Sequence, residues 1–209
     1  MEGILCFGAS ITFGRGEIPN KGWCGRLKDY FEVKGSHNSV YNLGVPGQTT
    51  TDLLDRFDAE AKARIRMIRP NDKYLIIIAI GTNDCKWDYR HEKDNIRVSD
   101  EDFRKNIQLL ITKAKSYDAK FAIFGLSPVD ESKTGPFEET FFKNERVKLF
   151  NSIIKEVCEE NNVLFLDMFN IMIKEDYPNL LEDGLHPNSA GFDFMFENIK
   201  GFLEKNELI

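Results

Sequence analysis

Five short runs of consecutive apolar residues mark the predicted strands of this chain. They span residues 4–7, 40–43, 74–80, 121–126 and 163–166. Runs of this length without polar alternation are typical of strands that are covered on both faces, as in a parallel sheet. The run at 74–80 is the longest and is rich in isoleucine, and it predicts the central strand.

Between these runs the apolar residues recur every three or four positions, which is the period of an amphipathic helix. Pro70 ends the second of the predicted helices, and Ser99 begins the third, with Asp102 at the spacing of a capping box. The last helix begins at Asn188 or Ser189. The inward-facing stripes are Trp23, Leu27, Tyr30 and Phe31; Leu53, Leu54, Phe57, Ala61, Ile65 and Ile68; Phe103, Ile107, Leu110, Ile111 and Ala114; Val147, Phe150, Ile154 and Val157; and Phe192, Met195, Phe196, Ile199 and Phe202.

Strands and helices alternate along the whole chain, which predicts an α/β fold with a five-stranded parallel sheet, right-handed crossovers and helices on both faces. For five such strands we expect the order 2-1-3-4-5. The sequence shows no internal repeat and no linker, so we expect a single domain over residues 1–209. The two longest predicted loops, at 84–98 and 127–140, hold or adjoin aromatic side chains that could shape a pocket: Trp87, Tyr89, Phe137, Phe141 and Phe142.

The composition excludes some classes of protein. The 209 residues carry 28 basic and 34 acidic side chains, a net charge of -6, with the two signs interspersed. A nucleic-acid-binding protein needs a concentrated basic surface, so we expect no nucleic-acid partner. No apolar stretch has the length of a membrane span, and the apolar run near the amino end is too short for a signal peptide. We therefore expect a cytoplasmic protein.

The cysteines give no sign of a metal or redox site. Cys6, Cys24, Cys85 and Cys158 form no Cys-x-x-Cys pair, and we expect reduced thiols. The chain has no Gly-x-x-x-x-Gly-Lys phosphate loop, and Gly14-Arg15-Gly16 lacks the third glycine of a dinucleotide-binding loop. We therefore expect no metal and no organic cofactor.

Five polar or small residues follow the predicted strands at their carboxyl ends: Ser10, Gly44, Asn83, Asp183 and His186. The carboxyl ends of parallel strands share one edge of the sheet, where ligands bind in open α/β folds. Taken singly, each residue has an ordinary structural explanation: the serine as a helix cap, the glycine and asparagine as turn residues, and the histidine as an exposed side chain. Together they supply a hydroxyl, an imidazole and a carboxylate, the parts of an activated nucleophile.

Four segments that hold these residues resemble the conserved blocks of the SGNH, or GDSL-type, esterases and lipases. They occur in the family's order and span nearly the whole chain. The resemblance implies a flavodoxin-like, three-layer α/β/α fold, and it implies Ser10 as the nucleophile, His186 as the base and Asp183 as its partner. The N–H groups of Ser10 and Gly44 and the side chain of Asn83 would form the oxyanion hole. The segments are Gly8-Ala9-Ser10-Ile11-Thr12, Asn42-Leu43-Gly44-Val45-Pro46-Gly47, Gly81-Thr82-Asn83-Asp84 and Asp183-Gly184-Leu185-His186-Pro187.

One position departs from the family's usual pattern. The family usually has Gly-Asp-Ser where this chain has Gly8-Ala9-Ser10. The family's aspartate is mainly structural and holds the nucleophile loop, so Ala9 removes no catalytic group. The rigidity of the loop around Ser10, and with it the rate, is the property that this replacement affects.

These residues and the resemblance predict a serine esterase that hydrolyses small carboxylic esters through an acyl-enzyme intermediate, with a small-molecule ester as its partner and the oligomeric state left open. The same site could serve a carbohydrate O-deacetylase, a thioesterase or a lysophospholipase. An alternative of another class is a non-catalytic α/β domain that binds a ligand or a partner protein, and Ala9 is the only residue that favours it. A flavin-binding or phosphoacceptor domain has less support, because a phosphoacceptor site needs clustered acidic residues after the first strand.

Overall fold

The strands form a main sheet and a smaller one in the structure, a computed structural model that describes residues 3–66, 72–88, 97–135 and 140–209. In the described residues the strands are β1 (Gly3–Gly8), β2 (Ser39–Gly44), β3 (Tyr74–Ala79), β4 (Trp87–Asp88), β5 (Lys120–Phe124), β6 (Thr140–Phe141) and β7 (Leu164–Leu166). The main sheet is parallel and has the order β2-β1-β3-β5-β7. Counted within this sheet the order is 2-1-3-4-5, as predicted, with β3 in the centre.

Helices pack on both faces of this sheet. They are α1 (Ser10–Phe13), α2 (Gly22–Glu32), α3 (Thr50–Arg64), α4 (Asp100–Lys115), α5 (Asn144–Glu160), α6 (Met168–Met172) and α7 (Ser189–Lys205). The apolar period did not predict α1 and α6, because a helix of about one turn is too short to repeat a pattern. None of the helices in the described ranges is long and apolar enough to cross a membrane.

The register of the sheet brings the ends of three strands level. Gly8 at the end of β1 lies beside Gly44 at the end of β2 and beside Ala79 at the end of β3. The residues that follow these strands therefore emerge at one edge of the sheet, which is the arrangement that the sequence predicted for the candidate site.

Each strand of the centre packs on both faces, which explains its continuous apolar sequence. Leu5 and Phe7 of β1 face the layer of α3, α4 and α5, whereas Ile4 and Cys6 face the layer of α2 and α7. All four cysteines of the chain are buried. The side chains that fill the first layer are Phe57, Phe103, Ile107 and Phe150, and those that fill the second are Trp23, Leu27, Phe192 and Ile199.

Helix α3 differs from its prediction at the carboxyl end. It ends at Arg64, and Ile65 already has extended backbone, with φ −80° and ψ 90°. The apolar period suggested a continuation to Ile68 because Ile65 still packs against the core from this extended segment. Ile68 and Pro70 lie outside the described residues.

The two long predicted loops hold short strands. Trp87 of β4 pairs with Phe141 of β6 in an antiparallel ladder, and the two rings stack with centroids 5.6 Å apart. The aromatic residues expected at a pocket thus partly pack on one another. Tyr89 and Phe137 lie outside the described residues.

Candidate active site

Three side chains from the two ends of the chain meet at the carboxyl edge of the sheet. Ser10 is the first residue of α1, directly after β1, and Asp183 and His186 lie in the turn before α7. His186 Nε2 is 2.9 Å from Ser10 Oγ, and His186 Nδ1 is 2.7 Å from Asp183 Oδ2. A hydroxyl, an imidazole and a carboxylate are thus joined by two hydrogen bonds, which is the geometry of an activated nucleophile.

The turn that carries the histidine is fixed by its own backbone. Asp183 Oδ1 accepts from the N–H groups of Leu185 at 3.0 Å and His186 at 2.8 Å. Gly184 has φ +87°, and a Cβ there would lie 2.6 Å from Lys133 Cβ, so the turn requires a glycine. The carboxylate therefore binds the backbone with one oxygen and the imidazole with the other.

The charge of Asp183 follows from these contacts. Burial raises the pKa of the carboxyl, but the hydrogen bonds from the His186 ring and from the N–H groups of His186 and Leu185 outweigh burial. The net result is a pKa well below the usual range for aspartate, so the group is ionised at neutral pH. An ionised carboxylate at Nδ1 holds the proton on that nitrogen and leaves Nε2 to accept a proton from Ser10.

The loop after α1 supports the other side of the histidine. Gly16 has φ +116°, and a Cβ at this position would lie 2.1 Å from Pro187 O and 3.0 Å from His186 Cβ. Only a residue without a side chain can approach so closely. From the sequence, Gly16 was only part of an incomplete dinucleotide-binding loop, because nothing local indicates a contact with a segment so far along the chain.

The nucleophile loop is held by backbone contacts. A Cβ at Gly8 would lie 2.1 Å from Thr12 Oγ1, so α1 folds back closely on the end of β1. Ala9 occupies the cap position of α1 and supplies no capping side chain. Instead the Ala9 carbonyl accepts from Phe13 N–H at 2.9 Å, and Asn42 Nδ2 donates to the Phe13 carbonyl at 3.3 Å.

The candidate oxyanion donors already have acceptors in the protein. Asn83 begins a 3₁₀ turn (Asn83–Cys85), and its Nδ2 donates to Gln48 O at 2.9 Å. The Gly44 N–H donates to Asn42 Oδ1 at 3.0 Å. A Cβ at Gly44 would lie 2.3 Å from Phe13 N, so this glycine is required where α1 packs on the end of β2.

Gly47 lies in the same segment and was not among the predicted site residues. Its φ is +82°, and no heavy atom of the described chain lies within 4 Å of the place that a Cβ would take. Its neighbour Gln48 supplies the carbonyl that binds Asn83. Gly47 is therefore the glycine of this loop that faces open space, whereas Gly44 is covered.

Asp84 is buried next to Asn83 and links two segments of the site. Its carboxylate accepts from the Thr50 N–H at 3.0 Å and from Thr50 Oγ1 at 2.5 Å, at the start of α3. Asn106 Nδ2 donates to the same Thr50 hydroxyl at 2.9 Å. Burial raises the pKa of Asp84 to about 6, although the Thr50 hydrogen bonds act in the opposite direction.

A cavity of about 30 Å³ adjoins the triad. It is lined by Ser10 and Asn83 and by apolar side chains that include Trp23, Phe124 and Met195. The Trp23 indole N–H is buried and has no hydrogen-bond partner in the described part of the chain. Within the described ranges, no three histidine, cysteine or acidic side chains group as metal ligands.

Comparisons with known proteins identify the family of the chain. A sequence model described as the GDSL-like Lipase/Acylhydrolase family matches residues 6–194. The human isoamyl acetate-hydrolyzing esterase 1 homolog is 25% identical over 216 residues, which cover 97% of this chain and 81% of the human protein.

Two solved structures share the fold. A lipase/acylhydrolase from Enterococcus faecalis has a TM-score of 0.76 and 22% identity, covering 99% of this chain and 97% of that chain. An acetylxylan esterase from Geobacillus stearothermophilus has a TM-score of 0.75 and 20% identity, covering 97% and 94%. With the family model matching nearly all of its length, the chain belongs to the GDSL-like lipase/acylhydrolase family and is an ester-hydrolysing enzyme.

Proposed function

We propose that the protein is a serine esterase that hydrolyses small carboxylic esters through an acyl-enzyme intermediate. The observation that carries the proposal is the pair of hydrogen bonds, 2.9 Å and 2.7 Å long, that joins Ser10 to His186 and His186 to Asp183. A serine hydroxyl is a weak nucleophile until a base removes its proton, and the imidazole is in place to do so.

The reaction then has two halves. Ser10 Oγ attacks the ester carbonyl carbon while its proton moves to His186 Nε2, and the imidazolium gives this proton to the departing alcohol as the C–O bond breaks. In the second half a water loses a proton to His186 and attacks the acyl carbon, and Ser10 Oγ leaves with the proton. Asp183 stays ionised throughout and stabilises the imidazolium.

The tetrahedral intermediates place negative charge on the former carbonyl oxygen, and hydrogen-bond donors must meet it there. We assign this role to the Ser10 N–H, to Asn83 Nδ2 and to an N–H of the segment 44–47. The first residue of a helix has a free N–H, which supports Ser10. The Gly44 N–H takes part only by releasing Asn42 Oδ1, whereas a Cβ at Gly47 would point into open space. A crystal structure with a phosphonate on Ser10 decides between the glycines, since the donor lies within about 3.1 Å of the phosphoryl oxygen.

A small acyl group fits the cavity beside Ser10. A volume of about 30 Å³ has room for only one or two water molecules, which favours an acetyl group over a longer acyl chain. The names of the human relative and of the Geobacillus enzyme both refer to acetyl esters. Acetyl esters are therefore the substrates that we propose, and a carbohydrate O-acetyl group is the second candidate because of the acetylxylan esterase fold match.

The first experiment compares wild type with Ser10→Ala on p-nitrophenyl acetate. We expect the substitution to lower kcat by on the order of 10⁵-fold and to abolish covalent labelling by a fluorophosphonate. Ser152→Ala is the control, because Ser152 lies on α5 and its side chain bonds, among the described residues, only to the Lys148 carbonyl. Turnover that survives Ser10→Ala would assign the nucleophile elsewhere, and an inactive wild type that takes no label would favour the non-catalytic alternative.

The second experiment is a substrate panel with the wild-type protein. We expect kcat/KM to fall from p-nitrophenyl acetate to the butyrate and octanoate esters. Acetylated xylo-oligosaccharides, acyl thioesters and lysophospholipids test the deacetylase, thioesterase and lysophospholipase alternatives. Octanoate turned over faster than acetate would contradict the small acyl pocket.

A further inference from the structure

Arg56 projects from α3 beneath the ends of the first two strands. Its Nη2 donates to Gly8 O at 3.1 Å and to Leu43 O at 2.8 Å. Its Nε donates to Gln48 Oε1 at 2.6 Å. All three acceptors are neutral oxygens, and they belong to three different segments around the candidate site.

Each of these acceptors is directly connected to a group of the proposed reaction. Gly8 lies two residues before Ser10, and Leu43 O belongs to the peptide whose N–H is that of Gly44. The carbonyl of Gln48 accepts from Asn83 Nδ2. A single guanidinium therefore fixes the relative positions of the nucleophile loop, the glycine segment and, through Gln48, the asparagine.

No carboxylate is among the hydrogen-bond partners of Arg56 in the described part of the chain, although Glu60 and Asp52 lie close enough to act on its charge. Burial lowers the pKa of Arg56, although an arginine side chain stays protonated at neutral pH. Its Nη1 is buried and has no hydrogen-bond partner in the described part of the chain. In a partly buried position the dielectric constant is lower than in water, so a positive charge acts over a longer distance. Such a charge stabilises a negative charge that develops nearby.

The hydrogen bond to Leu43 has a further effect. A peptide whose carbonyl accepts from a cation is polarised, so its own N–H becomes a stronger donor. The Leu43–Gly44 peptide is held in this way at the edge of the site.

We propose that Arg56 is a positioning residue for the oxyanion hole: it aligns the segments of Ser10, Gly44 and Asn83 and places a positive charge, hydrogen-bonded only to neutral oxygens among the described residues, beside them. It stabilises the oxyanion of the tetrahedral intermediates without touching the substrate. This inference rests on the proposed function of the triad.

The test compares Arg56→Met with Arg64→Met in steady-state hydrolysis of p-nitrophenyl acetate. Arg64 lies on the same helix and binds Glu60, so it controls for the loss of an arginine from α3. We expect Arg56→Met to lower kcat by about 10- to 100-fold with KM within about threefold, because misplaced donors weaken the transition state more than the bound substrate. Arg64→Met keeps both constants.

Arg56→Lys separates charge from geometry. Lysine keeps the charge but lacks the planar fork that bonds two carbonyls at once, so kcat should recover only in part. A kcat no higher than that of Arg56→Met would overturn the role of the charge, and full recovery would overturn the role of the fork.

The result that overturns the inference is an Arg56→Met kcat within about threefold of wild type. If Arg56→Met does not fold by circular dichroism, Gln48→Leu carries the test, because it removes only the acceptor of Arg56 Nε. Its kcat should fall with KM unchanged, and an unchanged kcat overturns the inference. Fluorophosphonate labelling of wild-type Ser10 runs in parallel: failure of labelling counts against the proposed function, whereas normal labelling with an unaffected variant counts only against Arg56.

Discussion

The two halves of the candidate site differ in how their polar groups are used. On the side of the nucleophile, Ser10, His186 and Asp183 bind one another in a continuous chain of hydrogen bonds. On the side of the oxyanion hole, the Asn83 side chain and the Gly44 N–H donate to oxygen atoms of neighbouring residues. The nucleophile side is therefore ready for proton transfer. On the oxyanion side, the donors must leave their protein acceptors before they can bind the substrate oxygen.

This difference determines how much each side of the site can lower the activation free energy of the reaction. A proton moves along a preformed chain without prior rearrangement. A donor that leaves a protein oxygen for the substrate oxyanion gains only the difference between two hydrogen bonds, although the bond to the charged oxygen is the stronger one. We therefore expect substitutions on the nucleophile side to lower kcat more than substitutions on the oxyanion side.

Asp183→Asn tests the nucleophile side and should have the largest effect after Ser10→Ala. An amide cannot hold the proton on His186 Nδ1 as a carboxylate does, so kcat should fall by on the order of 10⁴-fold. Asp176→Asn is the control, since Asp176 is an exposed carboxylate that binds Asn179 Nδ2 before the same turn. Steady-state kinetics on p-nitrophenyl acetate give the result. A loss below about tenfold would remove Asp183 from the proton-transfer chain.

Asn83→Ala tests the oxyanion side. We expect kcat to fall by about 100- to 1,000-fold, as for the loss of one oxyanion donor. Asn38→Ala is the matched control, because Asn38 also donates from its side chain to a carbonyl, that of Phe31, in a loop on another part of the chain. Labelling of Ser10 by a fluorophosphonate should slow in parallel with kcat. An unchanged kcat would mean that backbone N–H groups alone form the oxyanion hole.

Asp84→Asn has the smallest expected effect and concerns stability. The folded pKa of about 6 lies above the unfolded value near 3.8, so the folded state binds more protons between these pH values. Wild type therefore loses stability as pH rises from about 4 to 6, by on the order of 2 kcal/mol, and the asparagine variant lacks this loss. In urea unfolding at pH 4, 5 and 7, the free energy of unfolding of the variant should rise relative to that of wild type as pH rises.

Asp58→Asn provides the opposite sign. The Lys113 side chain holds the pKa of Asp58 below its usual range, so its contribution to stability is present above about pH 4 and is lost as pH falls. The free energy of unfolding of the Asp58 variant should therefore fall relative to wild type as pH rises towards about 4, and the difference should stay nearly constant from pH 4 to 7. Equal trends for both variants would contradict the raised pKa of Asp84.

Much of the fold follows from local patterns. Continuous apolar runs predicted β1, β2, β3, β5 and β7, because a strand covered on both faces has no polar alternation. Periodicity and capping residues located the longer helices. The same patterns misplaced the end of α3, since Ile65 keeps the apolar period while its backbone is already extended. They also missed the β4–β6 ladder, whose two-residue strands are too short to have a period.

The strand pattern was enough to predict that one edge of the sheet carries Ser10, Gly44, Asn83, Asp183 and His186, because parallel strands have all their carboxyl ends on the same side. The distances and hydrogen-bond partners of these residues depend on how distant segments pack, and the pattern does not contain them. Gly44 lies against Phe13, Gly16 lies against Pro187, and Arg56 binds three segments at once, and no local pattern predicts these contacts. Side-chain periodicity records which face of an element is buried, whereas a hydrogen bond between distant segments depends on how closely their backbones pack.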